Sequence, residues 1–326
     1  MKQNKLDYIA LCQIEETIPI FMQNGWLDAV ITEGSSSWQV VLAKDKKGQI
    51  IGALTFQMKQ KWGLTVLSET PLSPFCGIWF KKIDNQKQHE QYHFIKKILA
   101  ELIQQLPPFH FANFRFSTAL IDWQPFFWAG FQQTTRYTYQ LDFTKTDNLF
   151  ANFNQNTQRN IRKAEQHFQI TQSNDLDKFL TISNLTFERQ KLKNPAPHSI
   201  WQNADTYLKK TGQRVIYFAT NTDGTSRDNR EGEAEAVVYI VFDKKTAYYL
   251  AGGATEIGRK QGAMHLLLGQ AIEDAKAKGL VTFDFEGSML KGVESFFRGF
   301  NATLTPYFKV WKYQNRFLSL FDMLRK

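Results

Sequence analysis

The stretch YYLAGGATEIGRKQGAMHLLLGQAI, residues 248–272, predicts a strand, then a turn with glycines and basic residues, and then a long helix. Apolar residues recur at helical spacing from about Lys260 to Lys278, and Gly279 follows in a position that favours a helix end. The first N–H groups of a helix have no partner within it, and small residues let a ligand approach the backbone. The turn at 259–263 therefore predicts either an anion-binding site or simply a well-capped helix start.

This turn resembles the pyrophosphate loop of GNAT acyltransferases, whose pattern is Q/R-x-x-G-x-G/A. Arg259 and Gly262 fit the pattern, whereas Met264 stands where glycine or alanine is expected. The resemblance implies that Arg259, Gly262 and Ala263 bind the phosphate groups of a donor substrate. The departure at Met264 counts against coenzyme A as that donor.

Two carboxylates follow in FDFEGS, residues 283–288. Alternation along a strand places Asp284 and Glu286 on one face and the two phenylalanines on the other. They come at the carboxyl end of a strand, where α/β folds usually place their sites. Either carboxylate could accept a proton from an attacking amine if burial raises its pKa. A structural role for Asp284, in capping a loop or pairing with an arginine, is the other interpretation.

A basic helix face is predicted at RNIRKA, residues 159–164. Arg159, Arg162 and Lys163 share one side of the helix, which is suitable for clamping a phosphate group. A solvated charged face would produce the same pattern.

The two halves of the chain repeat one pattern. FFWAGF at 126–131 matches FFRGF at 296–300, and 169 residues separate Gly130 from Gly299. Each half ends in helix, strand, short helix and strand, which indicates a duplicated α/β unit. We predict one domain over residues 1–146 and a second over 147–312, with a C-terminal helix at 313–326 that packs on the first. The segment 145–211 is predicted to be mostly helical.

HEQYH, residues 89–93, spells the H-E-x-x-H signature of zinc peptidases. By chance it is expected in roughly one chain in two hundred. A zinc-binding helix needs apolar flanking residues and a third ligand, but the polar DNQKQ precedes the motif and Glu101 follows His93 too closely. We therefore predict no metal here. With the 169-residue offset, His93 corresponds to Gly262, so the motif marks a helix start in the first copy.

Composition and charge narrow the possible partners. The net charge of +9 and the pI of about 9.3 favour a polyanionic partner, or reflect a surface rich in lysine. Two cysteines cannot form a disulfide framework or a cysteine-based zinc site. The first residues include no apolar signal region, and no apolar run reaches the ~18 residues needed to span a bilayer. We expect a cytoplasmic protein.

The ordered motifs GFQQTTRYTYQLDF, NTQRNIRKAEQ, YYLAGGATEIGRKQGAMHLLLGQAI, FDFEGS and GVESFFRGFNATLTPYFKVWK resemble the Fem family of peptidyltransferases. The resemblance implies an α/β (α+β) fold of two tandem GNAT-like domains, each a mixed, mostly antiparallel sheet flanked by helices. It also implies transfer of an amino acid from aminoacyl-tRNA to an amine of a peptidoglycan precursor. An N-acyltransferase that uses an acyl-CoA, and an inactive module that binds tRNA or a glycolipid, are the alternatives.

The resemblance also implies roles for single residues. Lys309 matches a C-terminal lysine that assists at the reaction centre, with Lys312 and Lys291 as alternatives. Glu286 or Asp284 would be the base. The residues expected to bind the substrate are Arg159, Arg162, Arg189, Tyr249, Gly252 and Gly253. We expect no tightly bound cofactor, a monomer, a phosphate-bearing substrate, and peripheral contact with the inner membrane surface through the basic C-terminal helix.

Overall fold

The computed structural model describes residues 2–31, 36–82, 87–146, 148–189, 191, 194, 196–222, 233–287 and 289–314. The chain forms two compact units. The first contains residues 1–136 and 306–326, and the second contains residues 137–305. Among the described residues, no helix is long and apolar enough to cross a membrane.

The first unit is a mixed sheet with helices. Its elements are α1 (Lys2–Ile14), α2 (Asn24–Val30), β1 (Ser36–Lys44), β2 (Ile50–Lys61), β3 (Leu64–Ser68), β4 (Gly77–Phe80), α3 (Gln88–Gln104), β5 (Phe111–Arg115) and α4 (Gln124–Trp128). The strand order is β1-β2-β3-β5, with β4 also paired to β2. Only the β3–β5 pair is parallel among these pairs. Ile98, Leu99 and Leu102 of α3 pack against the sheet in the core of this unit.

The second unit has the same plan. Its elements are β6 (Gln132–Asp142), α5 (Leu149–Asn152), α6 (Gln155–Ala164), β7 (Phe168–Gln172), α7 (Leu176–Arg189), α8 (His198–Thr211), β8 (Arg214–Asn221), β9 (Ala234–Phe242), β10 (Thr246–Ala254), α9 (Glu256–Lys260), α10 (Ala263–Ala277), β11 (Thr282–Asp284) and α11 (Lys291–Arg298). The strand order is β7-β8-β9-β10-β11-β6. Only β10 and β11 are parallel among these pairs.

The boundaries of the units differ from the predicted domains 1–146 and 147–312. The end of β6 pairs with β11, so residues from Tyr137 onward belong to the second unit. The last strand, β12 (Thr303–Tyr313), pairs with β5 from Lys309 onward and so ends in the first unit. The boundaries of the two units are thus decided by strand pairing and not by the order of the elements along the chain. The predicted helix at 313–326 starts on a residue of β12, and positions 315–326 lie outside the described residues.

Two local predictions agree with the structure in outline and differ in detail. The helix predicted from about Lys260 to Lys278 is α10, which starts only at Ala263 because Gly262 takes a left-handed conformation (φ +83°) between the short α9 and α10. The segment 145–211 is mostly helical, as predicted, and also contains the edge strand β7, which pairs with β8. Only the mostly polar FQITQ carries that strand, and strand pairing decides its conformation more than residue preference does.

HEQYH lies in the first turns of α3, as predicted for a helix start. The side chain of Glu90 accepts a hydrogen bond from the backbone N–H of Lys87 at 2.9 Å and completes a capping box. His89 and His93 are both exposed. The glutamate of the motif therefore stabilises the helix start.

Candidate active site

The parallel strands β10 and β11 part after a short ladder. They pair over Thr246–Tyr248 and Thr282–Asp284. Beyond this point the chain follows β6, where the N–H of Phe285 donates to the Tyr139 carbonyl at 3.0 Å. β10 also has an irregularity in its pairing with β9 between Tyr249 and Ala251. The result is a wedge between the end of β10 and residues 285–287, at the carboxyl ends of the two strands.

Aromatic rings pack between the end of β10 and residue 285. Phe297 of α11 packs against Tyr249 at 5.9 Å and against Phe285 at 5.1 Å between ring centroids. Burial raises the pKa of Tyr249, and the nearby Glu286 carboxylate adds to that effect. Tyr249 is therefore a neutral phenol at physiological pH, close to the Glu286 side chain.

Asp284 is a buried carboxylate that three donors hold in place. Its Oδ1 accepts hydrogen bonds from the Thr138 hydroxyl at 2.6 Å and from the Glu286 N–H at 2.8 Å. Its Oδ2 accepts one from the Gln140 amide at 2.7 Å. Burial raises the pKa of Asp284, and these hydrogen bonds act in the opposite direction. The geometry favours the structural interpretation of Asp284, which joins β6 to the loop at Glu286 and has no arginine among these three partners.

Glu286 lies on the loop that Asp284 holds. Its backbone is left-handed (φ +58°), which is uncommon for a residue with a side chain and is found at functional sites more often than elsewhere. Its Oε1 is shielded from solvent. Gly287 is also left-handed (φ +65°), and a side chain there would collide with the Tyr137 carbonyl. Ser288 lies outside the described residues.

The glycines of β10 have packing roles. A Cβ at Gly252 would come within 2.6 Å of the Tyr249 hydroxyl, and one at Gly253 within 2.7 Å of the Ile182 carbonyl of α7. Their predicted contact with substrate stays a prediction. The close approach of α7 and of the tyrosine ring is a sufficient reason for both glycines.

The turn before α10 leaves a helix start without a side-chain cap. Gly262 occupies the N-cap position, and no side chain caps α10. The N–H groups of His265 and Leu266 donate to the Gly262 carbonyl, which leaves those of Ala263 and Met264 as the first donors of the helix. A Cβ at Gly262 would come within 2.7 Å of the Asn160 carbonyl, so this glycine also allows α6 to pack closely. Met264 packs on the core of the unit, which accounts for an apolar residue at this position.

Arg189 and Arg259 lie near each other. Partial burial lowers the pKa of the Arg189 guanidinium, and the charge of Arg259 lowers it further. Both side chains are exposed, and no ion pair at salt-bridge distance joins either one to a carboxylate among the described residues. Arg189 lies at the end of α7, and Arg259 lies shortly before the start of α10. Two guanidinium groups so close together favour the binding of an anion.

The basic face of α6 does not act as one cluster. Arg159 donates to Asn156 at 2.7 Å, and Arg162 lies over the Phe150 ring at 5.3 Å. Lys163 donates to the Lys260 carbonyl at 3.0 Å, so it is the basic residue of this helix that reaches the turn. The predicted phosphate contacts of Arg159 and Arg162 stay predictions.

The three candidate lysines occupy different elements. Lys309 lies on β12 in the first unit, opposite Arg115 of β5. Lys312 donates to the Ala129 carbonyl at 2.7 Å, and Lys291 is exposed at the start of α11. The assignment of Lys309 to the reaction centre remains a prediction.

Sequence reasoning missed the residues that position the loop. Thr138 and Gln140 alternate on one face of β6 and bind Asp284, yet they lie more than 140 positions before it in the chain. Polar residues at alternate positions of the strand segment YTYQLDF, residues 137–143, are the signal that could have found them.

His265 should make the stability of the second unit sensitive to pH. Burial lowers the pKa of His265 to about 4, and its ring packs against Phe296 and Phe300. Because the unfolded chain binds a proton at a higher pH than the folded one, stability should fall as pH decreases from about 6.5 to 4, by up to about 3 kcal/mol. Urea unfolding at several pH values measures this loss.

The His265→Leu variant should flatten the pH dependence in that window. The His93→Gln variant, which changes an exposed histidine of α3 in the first unit, is the matched control. An equally steep dependence in His265→Leu would contradict the assignment.

Comparison with known proteins agrees with this geometry. The family model described as Acetyltransferase (GNAT) domain matches residues 151–298. No match is found among the curated proteins. Among solved structures, FemX is similar with a TM-score of 0.65 and 14% identity, over 100% of this chain and 99% of that chain.

Two further structures are similar. L-PGS from Bacillus licheniformis has a TM-score of 0.54 and 12% identity, over 97% of this chain and 94% of that chain. A tandem GNAT protein from the clavulanic acid biosynthesis pathway has a TM-score of 0.50 and 9% identity, over 96% of each chain. At such identities the likeness concerns the fold.

These findings define the chain as a GNAT-fold protein of two tandem GNAT-like domains, and they confirm the predicted fold class. They support an acyltransferase. The family model supports the GNAT domain that the sequence resembles, and the fold of the whole chain is like that of FemX.

Proposed function

We propose that this protein transfers an acyl or aminoacyl group to an amine and forms an amide, most closely in the manner of Fem enzymes acting on a peptidoglycan precursor or a related cell-envelope substrate. One observation carries the proposal. The Glu286 carboxylate is held on a left-handed backbone at the end of β11, where β10 and β11 part and a second substrate can enter beside the neutral Tyr249.

The reaction needs a deprotonated amine and a stabilised oxyanion. Glu286 accepts the proton of the attacking amine, whose nitrogen forms a bond to the carbonyl carbon of the donor. Backbone N–H groups on the free edge of β10 stabilise the tetrahedral oxyanion. The bond to the leaving oxygen or sulfur then breaks, and the leaving group takes up the proton. Asp284 acts indirectly, since its Oδ1 fixes the Glu286 N–H.

The donor is proposed to carry phosphate groups, as aminoacyl-tRNA and acyl-CoA both do. The α10 start presents the N–H groups of Ala263 and Met264, and Arg189 and Arg259 place two positive charges nearby. The net charge of +9 supports an anionic ligand of this kind. The donor would be a substrate and not a tightly bound cofactor. We propose that the reaction takes place in the cytoplasm, at the inner membrane surface. We also propose that the protein acts as a monomer.

An Arg189→Ala/Arg259→Ala double variant should bind the donor about 10- to 100-fold more weakly than the parent protein. Its affinity should also depend less on salt, because charge contacts with phosphate groups are screened by ions. Thermal-shift titrations with acetyl-CoA, aminoacyl-tRNA and nucleotide-linked muramyl peptides, at two salt concentrations, measure both effects.

A matched control removes the same charge elsewhere. Lys209→Ala/Lys210→Ala takes two exposed positive charges from the end of α8 and should leave donor binding unchanged. Stabilisation by aminoacyl-tRNA favours the Fem-like reaction, and stabilisation by acetyl-CoA alone favours an N-acyltransferase. Binding without any amide product would refute the proposed enzyme and leave a binding module.

A further inference from the structure

The first unit exposes large apolar side chains around α4. Ile121 is 61% exposed, Phe127 59% and Trp128 65%. We call Ile121, Phe127 and Trp128 the α4 patch. The helix itself is anchored by Phe126, which is fully buried against Phe116 and Phe131. The fold therefore needs Phe126, whereas the neighbouring Phe127 and Trp128 face solvent.

The second copy of the repeat shows that this exposure is not a requirement of the fold. The matching motif FFRGF buries Phe297 against Phe285 and Tyr249, and Phe296 packs on the His265 ring at 4.7 Å. Arg298 is tied to Glu294 at 3.0 Å. The chain thus keeps a cluster of uncovered aromatic residues in the first copy only, and clustered exposed apolar residues usually mark an interaction surface.

The charges around the α4 patch indicate what it contacts. The Lys96 ammonium lies over the Trp128 ring at 5.4 Å and pairs with Asp122 at 3.3 Å. Lys312 donates to the Ala129 carbonyl, at the end of α4, and no carboxylate pairs with it among the described residues. Aromatic side chains bordered by lysines on flexible stems match the boundary between the headgroups and acyl chains of an anionic bilayer.

We propose that the α4 patch is a membrane-docking surface, which inserts Phe127 and Trp128 into the interface of an anionic bilayer while Lys312, whose charge no described carboxylate neutralises, contacts headgroup phosphates. This contact is distinct from the one expected of the C-terminal segment. It does not depend on the proposed reaction, because binding to lipid is measured without turnover. A lipid surface fits this border because exposed aromatic rings lie beside the Lys312 ammonium, whereas Asp122 already pairs with Lys96.

Vesicle co-sedimentation with the full chain tests the proposal. The protein should bind vesicles of phosphatidylcholine and phosphatidylglycerol, and should bind pure phosphatidylcholine more weakly. The Phe127→Ser/Trp128→Ser variant should lose roughly tenfold or more of its affinity for the anionic vesicles. Trp62→Ser is the matched control, since Trp62 is 88% exposed on the turn between β2 and β3 and lies outside the patch.

Because Phe127 and Trp128 are exposed, their substitution should leave the thermal midpoint and circular dichroism of the protein nearly unchanged. Equal vesicle binding by the parent protein and the double variant would overturn the proposal, as would no binding to anionic vesicles by either. Self-association of the parent protein in sedimentation velocity that the double variant lacks, without vesicle binding, would instead assign the patch to a second copy of the chain.

Discussion

Replacing Glu286 by Gln should lower the turnover number roughly 10²- to 10⁴-fold, which is the usual contribution of a general base. The amide has the size of the carboxylate but cannot accept the proton of the attacking amine. Glu286 is the carboxylate at the parting of β10 and β11, and its backbone is already held by Asp284. Rates of amide formation with whichever donor stabilises the protein measure the effect.

The variant should still fold and bind the donor, because the side chain of Glu286 has no role in the predicted phosphate contacts. Glu294→Gln is the matched control. Glu294 lies on α11, accepts hydrogen bonds from Tyr139 and Arg298, and should leave the chemical step nearly unchanged. Full turnover in Glu286→Gln would reject Glu286 as the base. An equal loss in both variants would point to a structural effect of this region.

The fold could be predicted from the sequence to the extent that its signals are local. The repeat of FFWAGF and FFRGF, the strand FDF and the helix after Gly262 each depend on a few neighbouring residues, and each is found. The unit boundaries depend on which strand a distant strand pairs with. The residues of β12 do not indicate which strand it pairs with. In the structure Lys309 lies opposite Arg115 of β5, and not beside a strand of its own repeat.

The candidate site, too, is predictable from the sequence only where its signals are local. Asp284 and Glu286 stand out because alternation places them at a strand end. Their separate roles depend on contacts from β6 and on the left-handed backbone of Glu286, which strand alternation does not predict. Likewise, a helix pattern puts Arg159, Arg162 and Lys163 on one face, but side-chain partners such as Asn156 and Phe150 decide where each charge is held.

Replacing Asp284 by Leu and by Asn should give different results, since we infer that it is a positioning residue. Leu removes every acceptor and leaves the hydroxyl of Thr138, the amide of Gln140 and the N–H of Glu286 in a buried place without their partner. Each buried donor that loses its partner costs about 1–3 kcal/mol. The free energy of unfolding should fall by about 3 kcal/mol or more, and turnover at least tenfold, as the Glu286 backbone is released.

Asn keeps one oxygen for the Glu286 N–H, while Gln140 can turn its amide oxygen toward the new NH₂ group. Asp284→Asn should therefore lose only about 1 kcal/mol of stability and less than tenfold in turnover. A base cannot be replaced in this way: if Asp284 accepted the proton, Asn would lose as much activity as Glu286→Gln while remaining folded. Urea unfolding together with the rate of amide formation separates the two roles. For a positioning residue, activity falls only when the loop geometry is lost; for a base, activity falls whenever the carboxylate is removed.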